Sequence, residues 1–294
     1  MYKGVINNTK NIFVILITII ILLVTCKKES PNPLKQTPVL LFKSGFENGV
    51  YIDSIAYTDN EDYRFIRGTD SETGYTWPIN ILGASNSALH YIDDDNHKAI
   101  FAELQTTNGH NGNQTIALYQ QENYKTDVTQ CPYEILDIKD GTKDLYIKFW
   151  IKLDSASLYK PNMWRTYFEW KSKKYAKGRG FRLISFIYTD DDGIPYWHFQ
   201  GDKNSEHPIW EIDNKNIPVP VNKWFVNEFY WHWSKGKDGI ALWKVNGQII
   251  GEHHGATTRN GNPVDFIMIG QIYGDSNPKH QWIDDIEIWT TLIE

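Results

Sequence analysis

Four segments in the last third of the chain decide its fold class. They read VNKWFVNEFYWHW (221–233), GIALWKVNGQIIGEHHG (239–255), FIMIGQIYGD (266–275) and QWIDDIEIW (281–289). Each is a short apolar or alternating run bounded by Gly, Asn, Asp or Pro, which is the pattern of half-buried strands. Asn246-Gly247 lies between two such runs, and both residues tolerate the positive φ of a type I′ turn. The stretch therefore predicts consecutive antiparallel strands that close a β-sandwich.

Residues 1–25 precede the predicted domain. A positively charged start is followed by an uncharged run from Ile12 to Thr25, shorter than the roughly 20 residues that a membrane helix needs. The run ends in LVTC (23–26), which resembles the lipobox of bacterial lipoproteins, where the cysteine is acylated after cleavage. The resemblance implies a lipoprotein signal peptide over 1–25, lipidation at Cys26, and an outer-membrane location on the cell surface or facing the periplasm. An uncleaved N-terminal anchor is the alternative.

The remainder divides into a tether and one domain. Residues 26–38 contain three prolines and no aromatic residue, which predicts a flexible tether. Residues 39–294 then form one domain of a size that is ordinary for an all-β fold. No stretch has a sustained helical period. Because Cys131 is the only cysteine after the tether, the core must be stable without disulfides.

The composition limits the classes of partner. The chain has 12 Trp, 17 Tyr and 13 Phe, which serve sandwich cores and also the clefts in which aromatic rings face sugar rings. A formal net charge of −6 argues against nucleic acid, whose binding proteins present a basic surface. An acidic glycan stays compatible, because local patches matter more than totals. The segment 171–182 is rich in Lys and Arg and contains no acidic residue.

Polar side chains alternate with apolar ones along several predicted strands. Since successive side chains point to opposite faces, each strand places an apolar row inside and a polar row outside. A solvated sheet face is the simple interpretation, and a groove for a uronate chain is the interpretation we favour. The predicted groove residues are Arg165, Tyr167, Glu169 and Lys171; Tyr196, His198 and Gln200; Tyr230; and Gln271 and Tyr273.

One ordered set of motifs carries a family resemblance. It consists of KW (223–224), WKVNG (243–247), GQIY (270–273) and WIDDI (282–286). In this order the motifs resemble concanavalin-like jelly rolls, and among these they are most similar to polysaccharide lyases of the heparin-lyase and alginate-lyase type. The resemblance implies an all-β concanavalin A-like jelly-roll β-sandwich of two antiparallel sheets. It also implies a possible structural calcium between the first and last strands, for which Glu47 and Asp285 are the candidate ligands.

The chemistry of the predicted groove fits a lyase better than a hydrolase. A retaining hydrolase needs two paired carboxylates, and the nearest E-x-D-x-x-E match, at 211–216, ends in Asn. In the resembling lyases a Tyr near the chain end acts as base, acid or both, which points to Tyr273. Lowering its pKa by 2–3 units requires about 3–4 kcal/mol, which Arg165 with Lys171 could supply. His198 is the alternative base.

The sequence therefore predicts a polysaccharide lyase that cleaves an acidic, uronate-containing polysaccharide by β-elimination. The alternative is a non-catalytic surface glycan-binding lipoprotein, and a hydrolase is a third and weaker candidate. The proposed catalytic residues are Tyr273, His198 and Arg165, with the other groove residues binding substrate. We expect no cofactor to be required for the chemistry, no nucleic-acid partner, membrane contact through the lipid anchor only, and a monomer.

Overall fold

In the computed structural model of the protein, residues 37–294 form one compact unit. The structure describes residues 36–53, 62–79, 88–94, 97–112, 114–120, 133–137, 143–155, 160–172, 175, 180–203, 208–259, 264–270 and 280–293. The predicted signal peptide and Cys26 lie outside these ranges. Within them, no helix has the length and apolar character needed to span a membrane.

The described ranges contain eighteen β-strands. They are β1 (Leu40–Ser44), β2 (Val50–Asp53), β3 (Asp62–Thr69), β4 (Thr76–Trp77), β5 (Ala88–Asp94), β6 (His97–Gln105), β7 (Thr115–Gln120), β8 (Tyr133–Asp137), β9 (Asp144–Leu153), β10 (Trp164–Ser172), β11 (Arg182–Thr189), β12 (Pro195–Asp202), β13 (Pro208–Asn214), β14 (Phe225–His232), β15 (Ile240–Val245), β16 (Gln248–His254), β17 (Val264–Ile269) and β18 (His280–Trp289).

The strands pair antiparallel in two sheets. Sheet A runs in the order β16-β15-β14-β9-β18-β7-β6-β5. Strand β1 pairs with residues 286–289 of β18, on the same side of β18 as β7, which pairs with residues 280–283. Sheet B runs in the order β13-β12-β11-β10-β17-β8-β5-β3-β2, with β4 beside the end of β3. Strand β5 belongs to both sheets, because residues 88–91 pair in sheet B and residues 92–94 pair in sheet A. The predicted all-β jelly-roll sandwich of two antiparallel sheets is confirmed.

The core between the sheets combines aliphatic side chains with many stacked aromatic rings. Phe168 of sheet B stacks on Phe229 of sheet A, with ring centroids 3.9 Å apart and planes inclined by 9°. Trp170 and Trp231 form a second stacked pair across the core at 5.6 Å. These four rings are each at most 2% exposed. Stacked aromatic pairs stabilise a core beyond the burial of their area, so much of the aromatic content serves the fold.

The predicted hairpin turn is present between β15 and β16. Asn246 and Gly247 have φ values of 49° and 75°, the combination that a type I′ turn requires. Val245 pairs with Gln248 across the turn. The short loop fixes the register of the two strands at this edge of sheet A.

The first and last strands of the domain are neighbours. Strand β1 pairs with residues 286–289 of β18. Just beyond this pairing, the Val39 amide donates to Thr290 Oγ1 at 3.0 Å, and the Thr290 amide donates to the Val39 carbonyl at 3.0 Å. The two ends of the domain therefore meet at one edge of sheet A.

Candidate functional site

A β-bulge in β10 changes which side chains share a face. Thr166 pairs with Phe186 and Phe168 pairs with Ser185, so Tyr167 is an extra residue opposite neither. The extra residue shifts the alternation by one position. Arg165 therefore lies on the core side with Phe168 and is 1% exposed, instead of joining Glu169 on the outer face. The prediction that Arg165 belongs to the outer polar row is wrong for this reason.

Four strands carry a continuous polar network on the outer face of sheet B. In its first half, His198 Nδ1 lies 2.6 Å from Asp213 Oδ1, and His198 Nε2 lies 3.0 Å from Gln200 Oε1. The Gln200 amide nitrogen donates to Asp202 Oδ2 at 3.0 Å. Because a carboxylate only accepts, this bond turns the Gln200 oxygen toward His198 and makes Nε2 the donor. Both ring nitrogens are engaged, which disfavours His198 as a general base in this arrangement.

The second half of the network is a set of buried charges. Arg182 donates to Asp202 Oδ2 from Nε at 3.0 Å and from Nη2 at 2.7 Å. Its Nη1 lies 3.7 Å from Glu169 Oε1, with which Lys171 also forms an ion pair. Asp202 and Glu169 are 0% exposed. Buried carboxylates are tolerated only when paired and hydrogen-bonded, so these cations are required by the site itself.

Two tyrosines on this face hold their protons tightly. Burial raises the pKa of Tyr175, and Asp202 raises it further, since the phenol donates to Asp202 Oδ1 at 2.7 Å; the Arg182 charge lowers it only in part. Burial also raises the pKa of Tyr196, with the charges of Asp213 and Asp190 adding to the effect. Neither phenol is therefore prepared to act as a base near neutral pH.

Aromatic rings border the polar network. Tyr188 stacks on His198 with a centroid distance of 4.6 Å and an interplanar angle of 6°. Tyr196 packs edge-on against Tyr188, and Lys215 Nζ lies 4.4 Å from the Tyr196 ring centroid. Trp164, the first residue of β10, is 37% exposed. Rings beside hydrogen-bonding groups suit a sugar, which has apolar C–H faces and polar edges.

The structure brings together only part of the predicted site. Glu169, Lys171, Tyr196, His198 and Gln200 lie on the outer face of sheet B. Tyr230 does not, because β14 belongs to sheet A; its hydroxyl donates to Asp144 Oδ1 at 2.5 Å, on the opposite side of the sandwich. Gln271 and Tyr273 lie outside the described residues, as does the side chain of Tyr167.

Sequence reasoning missed Arg182, Asp202, Asp213 and Tyr188. The sequence carried a signal for Asp202, because the alternation of Tyr196, His198 and Gln200 continues to it. Arg182 is the cross-strand partner of Asp202 in the β11–β12 hairpin, so register alone would have paired them.

The predicted calcium ligands Glu47 and Asp285 both lie near a third carboxylate, that of Asp284. Asp285 accepts hydrogen bonds from His110 and Asn111 at 2.8 and 2.9 Å, and the preceding Asp284 is 0% exposed. Burial raises the pKa of Asp284 to about 7, and the nearby charges of Asp285 and Glu47 raise it further, while backbone hydrogen bonds lower it. In the described part of the chain, no group of three or more His, Cys, Asp or Glu residues is arranged to hold a metal ion. The calcium site stays a prediction.

The fold and this face define a class of protein, a jelly-roll β-sandwich with a polar and aromatic site on one outer face. No protein-family model and no curated protein matches the sequence. Solved structures with a similar fold include a double mutant of the alginate lyase Aly36B in complex with an alginate tetrasaccharide (TM-score 0.49, 12% identity, 61% of this chain and 81% of that chain). They also include the endo-β-1,4-glucuronan lyase of the fungus Trichoderma reesei (0.49, 12%, 67% and 90%) and an alginate lyase from Aplysia kurodai (0.44, 12%, 65% and 90%). At such low identities and TM-scores, the site must be argued from the residues of this chain.

Proposed function

We propose that this protein cleaves an acidic, uronate-containing polysaccharide by β-elimination on the outer face of sheet B. The observation that carries the proposal is the network from Asp213 to Lys171, which crosses four strands and is bordered by partly exposed aromatic rings. A plain solvated sheet face has no need of buried Arg, Asp and Glu side chains, since each is costly to desolvate. A face built to hold polar sugar groups does need them, because they keep the donors in fixed positions.

The acidic character of the substrate is supported by the basic connection between β10 and β11. Residues 171–182 carry Lys171, Lys173, Lys174, Lys177, Arg179 and Arg182 with no acidic residue. The connection follows the end of β10 and precedes the start of β11, where Lys171 pairs with Arg182 across the two strands. A positive segment beside the site would attract a polyanion and raise its local concentration.

Elimination requires a base for the C5 proton, a donor for the leaving oxygen, and neutralisation of the uronate carboxylate. We assign the base and acid roles to Tyr273 and the carboxylate contact to Gln200 and Lys171. Arg165 cannot assist from the core side of β10. Arg182 is instead the cross-strand partner of Lys171, and both pair with Glu169.

A non-catalytic glycan-binding protein is the second candidate. It is favoured by the pairing of Lys171 and Arg182 with Glu169, which compensates the charge that would otherwise lower the pKa of a phenol. It is also favoured by the raised pKa of both Tyr175 and Tyr196.

One assay separates the two candidates. The purified domain is mixed with alginate, glucuronan, ulvan and glycosaminoglycans, and the unsaturated product is followed by its ultraviolet absorbance. We expect a rise that Tyr273→Phe abolishes and that Tyr230→Phe, a matched change on the opposite sheet, leaves intact. Binding without any rise would identify the non-catalytic protein, and an equal loss in both variants would contradict the assignment of Tyr273.

We also propose that the domain is held at the outer membrane through a lipid on Cys26. Cys26→Ser should release the protein from the membrane fraction and prevent incorporation of labelled fatty acid. Membrane retention without the label would instead support an uncleaved anchor.

A further inference from the structure

A second group of partly exposed aromatic side chains lies on the outer face of sheet A. Lys152 on β9 pairs across the strands with Trp282 on β18. Trp224 directly precedes β14, whose Phe225 pairs with Ile151, so it lies on the other side of Lys152. Trp150 is two residues before Lys152 on the same face. We call Trp150, Lys152, Trp224 and Trp282 the sheet A platform.

The ammonium group of Lys152 is held by aromatic rings. Its Nζ lies 4.4 Å from the Trp282 ring centroid and 5.8 Å from that of Trp224. No carboxylate of the described residues lies within ion-pair distance of it. A cation–π contact positions an ammonium without cancelling its charge, so the three N–H donors stay available to an anion.

Lys148 provides a contrast on the same strand. It lies four residues earlier on the same face, and its Nζ is 3.9 Å from Glu287 Oε2. Glu287 also pairs with Lys43 at 3.1 Å. The charge of Lys148 is therefore compensated within the protein, whereas the described residues supply no carboxylate partner for Lys152.

Neighbouring side chains fix the indole rings of the platform. Trp150 stacks on His110 with centroids 3.7 Å apart and an interplanar angle of 18°. The Trp282 Nε1 donates to Gln105 Oε1 at 2.8 Å. Rings that are already immobilised lose little conformational entropy when a ligand binds.

We propose that the sheet A platform is a second binding site for the acidic polysaccharide, separate from the face that carries the proposed chemistry. A uronate carboxylate would accept hydrogen bonds from Lys152 Nζ, while the C–H faces of its sugar rings pack against the indoles. The inference rests on the substrate class given under Proposed function but not on the cleavage. A domain that holds a chain on both outer faces stays attached to a polymer between encounters at the first site.

Affinity electrophoresis tests this site. The folded domain is run through native gels that contain alginate, glucuronan or the neutral polymer hydroxyethylcellulose, and retardation is converted to an apparent dissociation constant. For Lys152→Met we expect binding to the uronate polymers to weaken roughly five- to tenfold, as for the loss of one partly desolvated charge contact. Lys148→Met is the matched control and should change binding less than about twofold. Thermal unfolding of both variants verifies that each is folded.

The outcomes separate this inference from the proposed cleavage. If no polymer yields unsaturated product but retardation still depends on Lys152, the cleavage is wrong and the platform stands. If product forms while Lys152→Met and Lys148→Met weaken binding equally, or neither weakens it, the platform is wrong. Absence of retardation of the unmodified protein in every uronate gel also overturns it.

Discussion

Replacing Arg182 by Leu should destabilise the protein strongly, because Asp202 would lose its two charged hydrogen bonds while staying buried. Breaking a buried ion pair costs about 3–5 kcal/mol. Asp202 keeps hydrogen bonds from Gln200 and Tyr175, and Glu169 keeps Lys171, so the lower end, about 3 kcal/mol, is expected. For a domain of this size, that corresponds to a Tm lower by roughly 6–12 °C.

Urea denaturation, monitored by tryptophan fluorescence, measures the free energy of unfolding of the variants. Arg182→Lys keeps the charge and should cost only about 1 kcal/mol. Adding Asp202→Asn to Arg182→Leu removes the uncompensated charge, so the double variant should be more stable than the single one. A loss below about 1 kcal/mol for Arg182→Leu, or no recovery in the double variant, would refute the reasoning.

Three further predictions concern other parts of the domain. Because the pKa of Asp284 is raised from 3.8 to about 7, its stabilising contribution is present below pH 4 and is lost as the pH rises through 7. In EDTA, Asp284→Asn should remove up to about 4 kcal/mol of the change in the free energy of unfolding between pH 4 and pH 7. An unchanged pH dependence in this variant would contradict the assignment. Millimolar Ca²⁺ should raise the Tm of the unmodified protein, but not of Glu47→Gln, in a thermal-shift assay; equal Tm values with Ca²⁺ and EDTA would exclude the site. A Cβ at Gly201 would lie 2.4 Å from the Trp210 indole, so Gly201→Ala should cost about 1–3 kcal/mol in urea denaturation and alter tryptophan fluorescence, which an unperturbed spectrum would contradict.

Sequence reasoning succeeded where local rules decide the structure. The Asn246-Gly247 turn depends on the φ preferences of two adjacent residues, and it formed as predicted. On β12, Tyr196, His198 and Gln200 share a face because strict alternation holds opposite β11. Both features could be predicted without knowledge of the neighbouring strands.

It failed where strand pairing decides. The bulge at Tyr167 is visible only from the pairing of β10 with β11, and it moves Arg165 to the core side. For Tyr230, alternation gave a polar outer position, but a pattern of period two does not specify which of two sheets a strand joins. The pairing of Arg182 with Asp202 follows from the register of the β11–β12 hairpin. Alternation within a single strand does not specify that register.

The meeting of the domain ends at Val39 and Thr290 has a consequence for engineering. A short linker could join residue 293 to residue 37, and new termini could open at the exposed Asn246-Gly247 turn, giving a circularly permuted protein with the same sheets. Any fusion partner attached after the last strand would also emerge close to β1, which pairs with β18. Reporter domains are therefore better inserted at the turn, at the far edge of sheet A.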